Sequence, residues 1–130
     1  MFTLQDIKDA HAKVQSGADF PRYIQDLIVL GVRSYTTWVA DGHADYYGDD
    51  TPSMHSDPRY AQLTISDTVD RESFLHDLTL HQQWGTDYMT FCRDAAKAGV
   101  ATRVIDMQAM TCTYYDSHET VILEEMIPSV

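Results

Sequence analysis

Val32-Arg33-Ser34-Tyr35-Thr36-Thr37-Trp38-Val39, followed after Ala40 by Asp41-Gly42 and then Ala44-Asp45-Tyr46-Tyr47, is the stretch on which the fold turns. Up to Gly31 apolar residues recur every three or four positions. From Val32 the period drops to two, and β-branched and aromatic side chains dominate. Asp-Gly between two such runs is a hairpin signal, because a tight turn needs residues that tolerate positive φ. The stretch predicts two antiparallel strands entered from a helix.

Upstream, Asp19 with Pro21 in the first turn, then Tyr23, Ile24, Leu27, Ile28 and Leu30, predicts that helix, stopped by Gly31. An earlier helix opens on Thr3-x-x-Asp6, a capping-box pattern, and carries Leu4, Ile7, Ala10, His11 and Val14 toward Gly17. Downstream, Gly48 to Pro58 reads as an exposed loop and Tyr60 to Ile65 as a third strand. The same grammar then recurs. Asp67 to Gln83 is a predicted helix with Phe74, Leu75, Leu78 and His81 inward. Thr86 or Asp87 caps another that runs to Gly99, and strands follow at about Thr102–Met107, Met110–Asp116 and Thr120–Ile127.

Adding 68 to each number pairs Leu4–Gly48 with Glu72–Asp116 without a gap. Identities fall at Asp9/Asp77, Gln15/Gln83, Gly17/Gly85, Asp19/Asp87, Asp26/Asp94, Gly31/Gly99, Val32/Val100, Tyr46/Tyr114 and Tyr47/Tyr115. Chance would give roughly three. The expected architecture is α+β in two layers: a largely antiparallel sheet with helices on one face, built by internal duplication of a helix-helix-strand-strand-strand unit. One domain over 1–130 is expected, with halves at about 1–66 and 67–130.

Composition narrows the function classes. The chain has 130 residues, 44% of them hydrophobic, and a net charge of −11 from 9 Lys+Arg against 20 Asp+Glu. That balance repels phosphate backbones, so no direct nucleic-acid binding is expected. No run approaches a membrane span, and Met1-Phe2-Thr3-Leu4-Gln5-Asp6 has neither the basic start nor the apolar run of a signal peptide. A cytoplasmic protein without membrane association is the expectation. Cys92 and Cys112 lack the spacing of a zinc site and, in a reducing compartment, read as buried thiols. Asp41, Asp45, Asp49, Asp50 and Asp57 fail the EF-hand spacing, and Asp77 with His76 or His81 lacks a third ligand. No metal or cofactor is predicted.

Features shared by both halves are explained by the fold they share, which makes Asp19 and Asp87 helix caps and places one ring of each tyrosine pair in the core. Residues of the second half that lack a counterpart are the site candidates: His81, Gln82, Trp84, Thr86, Cys92, Thr111, Cys112 and Thr113, joined by Tyr88 and Tyr115. The polar, aromatic run from His81 to Tyr88 lies at a helix-to-helix turn, where a cleft can form. His81 could serve as a base or ligand donor there, or simply cap its own helix.

The residues Ala10-His11-x-Lys13-Val14-x-Ser16-Gly17-Ala18-Asp19-Phe20-Pro21-x-Tyr23-Ile24, Leu30-Gly31-Val32, His81-Gln82, Gly85-x-Asp87-Tyr88-x-x-Phe91-Cys92 and Met110-Thr111-Cys112-Thr113-Tyr114-Tyr115-Asp116 resemble the YdfO-like family along the full length. That family comprises small bacterial proteins often found in prophage regions and loosely labelled phage envelope proteins. Its pattern carries Gly near position 84, where this chain has Trp84. The resemblance implies an α+β fold and brings no catalytic residues.

The expected function is that of a prophage-associated accessory protein binding a protein partner or a small ligand in a groove between helices and sheet. A small enzyme with a His/Cys/Tyr pocket and a virion component are the alternatives. An exposed final strand could pair two chains into a homodimer.

Overall fold

The computed structural model describes residues 2–15, 19–49, 53–82 and 87–128. Helices α1 (Leu4–His11) and α2 (Phe20–Leu30) precede strands β1 (Val32–Trp38), β2 (Ala44–Gly48) and β3 (Met54–His55). Helices α3 (Arg71–Gln82) and α4 (Tyr88–Lys97) precede β4 (Thr102–Asp106), β5 (Thr111–Tyr115) and β6 (Val121–Met126). The strands form one antiparallel sheet in the order β3-β2-β1-β4-β5-β6. The fold is α+β.

The offset of 68 carries α2 onto 88–98, against Tyr88–Lys97 observed, and β2 onto 112–116, against Thr111–Tyr115. The element order thus repeats, and the inner strands of the two halves, β1 and β4, meet at the middle of the sheet.

Local chemistry sets the ends of these elements. The Thr3 hydroxyl accepts from the Asp6 backbone N–H while the Asp6 carboxylate accepts from that of Thr3, closing the predicted capping box of α1. Asp87 caps α4 by accepting from the Thr90 N–H. Asp19 departs from expectation. It sits in helical conformation with no cap bond, and its carboxylate accepts instead from the Gln15 N–H. Gly31 ends α2 at φ 101°, a left-handed conformation that an L side chain resists.

The third strand is also displaced. Tyr60–Ile65, predicted as a strand, is irregular, and the sheet instead takes Met54–His55 from the segment read as loop. The Tyr60 hydroxyl donates to the Val39 carbonyl, and the Leu63 N–H donates to Ala40. These bonds tie the apolar residues of 60–65 beneath the hairpin, where they pack as a strap.

Alternation along the strands sorts the two faces of the sheet. Tyr35, Ala44, Tyr46, Ile105, Cys112 and Tyr114 are buried on the helical side, where Phe74 meets Tyr114 edge-on at 4.9 Å. They join Ile24, Leu27, Leu78, Phe91 and Val100 in the core. Thr36, Trp38, Asp45, Tyr47, Val104, Thr113 and Tyr115 have the opposite parity and face away from the helices. The tyrosine pairs divide as expected, Tyr46 and Tyr114 inward, Tyr47 and Tyr115 outward. At the sheet's far edge the Arg71 Nε donates to the Ile122 carbonyl over 2.8 Å, capping part of β6.

Candidate functional site

A cleft of about 540 Å³ opens over the middle of the sheet, between the helix pairs of the two halves. Its floor is Ala44 and Tyr46 of β2, Tyr35 and Thr37 of β1, and Arg103 of β4. One wall is His11, Val14, Phe20 and Tyr23. The other is His81, Gln82 and Tyr88, with Gly42 and Arg59 at the hairpin end. The floor residues share one parity across paired strands, since Thr37 lies opposite both Ala44 and Arg103. Register therefore delivers them together.

Arg103 is the unusual member. Its Nε is sealed from solvent and has no hydrogen-bond partner, and its guanidinium lies 5.0 Å over the Phe20 ring. A buried donor left unpaired costs about 1–3 kcal/mol, while the cation–π contact returns only about 0.5–1 kcal/mol at an exposed site. Burial opposes the charge, yet the Cys112 thiol and the phenols of Tyr35, Tyr114 and Tyr88 favour the cation, and its pKa lies above the usual arginine value. Among the described residues neither Arg103 nor Arg59 pairs with a carboxylate.

The surrounding groups are neutral donors. Burial pushes the hydroxyls of Tyr23, Tyr35, Tyr46 and Tyr88 up, so all four phenols keep their protons at neutral pH, and Tyr23 pairs with Tyr46. Burial, reinforced by the Arg59 charge, lowers the basicity of His11. Although Asp and Glu make up 20 of the 130 residues, none of those among the described residues lines this cleft. Two guanidiniums, Arg103 and Arg59, do. Such a site stabilises a negative charge and offers rings for an apolar body to pack on.

The candidates from the sequence divide across the sheet. His81, Gln82 and Tyr88 line the cleft, and His81 stacks on Phe91 at 4.5 Å with 9° between the rings. Cys112 faces the helices from β5 but lies outside the cleft lining. Thr113 is paired with Val104 and Tyr115 with Thr102, so together with Thr111 they belong to the opposite face and cannot meet His81. Cys92 is buried against the phenols of Tyr60 and Tyr88, and burial pushes its thiol up, the reverse of what a nucleophile needs. Trp84 and Thr86 lie outside the described residues. Both cysteines are free.

The sequence reading missed Arg103, Arg59, His11, Phe20, Tyr23, Tyr35 and Tyr46. One signal was present. Arg103 shares the inward parity of Ile105 in a short strand, which is an improbable place for a charge without a task.

The acidic hairpin residues serve a separate cluster on the outer face. Asp45 accepts from the Trp38 Nε1 and pairs with His55, while Asp41 pairs with His43, whose ring stacks on Trp38. Among the described residues no three His, Cys, Asp or Glu side chains are arranged to hold a metal ion. Nor is any helix there long and apolar enough to cross a membrane.

Residues 8–126 match the family described as "Protein of unknown function (DUF1398)". The chain belongs to the DUF1398 family. The match takes in every strand and all the cleft-lining residues. The chain is also similar to uncharacterized proteins of Mycobacterium bovis and Mycobacterium tuberculosis, 28% identical over 106 residues that cover 81% of this chain. It spans 65% of those relatives' length, just under two thirds. Neither the DUF1398 description nor these relatives assigns a role to the cleft.

Proposed function

We propose that this protein binds a small organic anion in the cleft, with Arg103 holding the acidic group and the rings of Phe20, Tyr35 and Tyr88 packing on the rest. The observation that carries this reading is Arg103 on the floor of a concavity that no carboxylate among the described residues lines, its guanidinium without an ion-pair partner there. A guanidinium matches a carboxylate in shape and charge, and the bond is strongest where water is excluded.

Within this reading the protein works by binding rather than by turnover. Of the groups that a His81-centred enzyme pocket would draw on, Tyr88 shares the cleft, Cys112 and Tyr115 do not line it, and burial raises the pKa of the Cys92 thiol. The resemblance to YdfO-like proteins supports a cytoplasmic, prophage-associated setting. The acidic exterior would keep nucleic-acid phosphates away.

The test is a thermal-shift panel of aromatic and alicyclic carboxylates, each beside its primary amide, on the wild-type chain and on Arg103→Met. Carboxylates should raise Tm in the wild type only, and the amides in neither. Equal response to acid and amide, or an undiminished response in Arg103→Met, sinks the reading.

A further inference from the structure

A second groove, about 500 Å³, adjoins the cleft and shares His11, Tyr46 and Arg59 with it. Beyond that shared wall lie Leu4, Ile7 and Lys8. Lys8 and His11 stand three apart on α1 and therefore on one helix face. Among the described residues Asp57 is the groove's single carboxylate. Two concavities thus meet at one wall, and each has its own basic group, Arg103 in the first and Lys8 in the second, with Arg59 and His11 at the junction. Tyr46 lies within electrostatic reach of both Arg59 and Arg103.

Resting on the reading of the cleft as an organic-anion site, we propose that the ligand is an elongated molecule with two acidic groups. One sits on Arg103, the ring or apolar body crosses Tyr46, and the second lies among Arg59, Lys8 and His11. A molecule with one acidic group would leave Arg59 and His11 facing each other without an intervening anion. A molecule with two would place a negative charge between them. Burial first and the Arg59 charge second lower the basicity of His11. Other groups facing that ring are Lys8 and Asp57 in the groove and Tyr23, whose ring meets it at 5.4 Å.

The experiment is calorimetric titration of the full chain with matched pairs of acids on one body: benzene, naphthalene and biphenyl, each as the monocarboxylate and the dicarboxylate. In at least one pair the dicarboxylate should bind tenfold or more tightly. Lys8→Ala should shrink that advantage while leaving the monocarboxylate within about twofold, Arg59→Leu should weaken the dicarboxylate more than the monocarboxylate, and Arg103→Met should abolish both. Near pH 6.5, repetition in buffers of different ionisation enthalpy should show greater proton uptake with the dicarboxylate, reporting on His11. Equal affinity within every pair, or equal proton uptake, overturns the second subsite and leaves the cleft reading standing. Absence of binding by every acid overturns the cleft reading itself.

Discussion

Replacing Arg103 by methionine should make the empty protein more stable and the ligand-saturated protein less stable than wild type. The buried Nε has no partner, so its removal relieves an unsatisfied donor costing about 1–3 kcal/mol. Against this stands the loss of the cation–π contact with Phe20, about 0.5–1 kcal/mol or somewhat more where water is excluded. Methionine keeps an apolar stem in β4, and the vacated volume opens into a cleft that already admits solvent, so little cavity penalty follows. The balance is a gain of about 1 kcal/mol, or roughly 3 °C in Tm for a chain of this size. With ligand at a hundred times its Kd, the wild type gains about 2.7 kcal/mol by mass action and the variant gains none. The order of stabilities should therefore reverse between apo and saturated protein. Urea unfolding followed by Tyr and Trp fluorescence, with and without a carboxylate that shifts the wild type, reads both arms. A loss of 1 kcal/mol or more in the apo variant would show that Arg103 holds the fold together, and the reasoning that makes it a ligand anchor would fail.

Three further outcomes follow from other parts of the molecule. Gly42→Ala should cost about 2–4 kcal/mol by thermal or urea unfolding, because φ is +76° and a Cβ would stand 2.6 Å from the Tyr60 ring; a loss under 1 kcal/mol would mean the hairpin shifts freely. Asp41 and Asp45 are partly buried, which raises their pKa values, but bonds from His43 to the former and from His55 and Trp38 to the latter outweigh this and lower both. Their stabilising share is present above the unfolded value of 3.8 and is lost as pH falls through the lower folded values, so Asp45→Asn should flatten the acid limb of Tm measured from pH 6 to pH 2. Arg71→Ala should cost about 0.5–1.5 kcal/mol by freeing the Ile122 carbonyl. Light scattering should also show more self-association of that variant near the pI of 4.6, where the chain's net charge no longer keeps two open edges apart; unchanged scattering would mean Arg71 does not guard β6.

Much of the fold was legible because it is written in local chemistry. The change of period at Gly31, the Asp41-Gly42 turn and the Thr3/Asp6 and Asp87 caps each act within a few residues, and each appears where the sequence places it. Tyr60–Ile65 was misread because its apolar spacing answers to tertiary packing: Tyr60 and Leu63 are tied to Val39 and Ala40 across the hairpin, and no strand is free to pair with them. The site was less legible for a related reason. Thr111 and Thr113 looked like partners of His81 because they have no counterpart 68 residues earlier, and Tyr115 because it follows them on the same strand. Strand parity, which the register with β4 fixes, sends them to the other face. Cleft residues are set by which elements meet across the middle of the sheet, and that meeting joins positions far apart in the chain.

The place where they meet also bears on how so acidic a chain would hold the proposed anion. Three pairs of cleft residues stand 68 positions apart: Val14 and Gln82, Phe20 and Tyr88, Tyr35 and Arg103. Each pair contributes one residue from the first half and one from the second, on either side of the junction of β1 and β4. The match is broken most strongly at the third pair, where a phenol in one half answers a guanidinium in the other. The charge at that point is favoured by the Phe20 ring and the neighbouring phenols, but its Nε is left unpaired. The remaining differences, Gln82 for Val14 and Tyr88 for Phe20, also add polar groups to the second half's wall. Arg103 therefore supplies positive charge from the second half's side of the concavity, across from Arg59 and His11 of the first. A ligand with two acidic groups, as proposed, would lie with one charged end toward each.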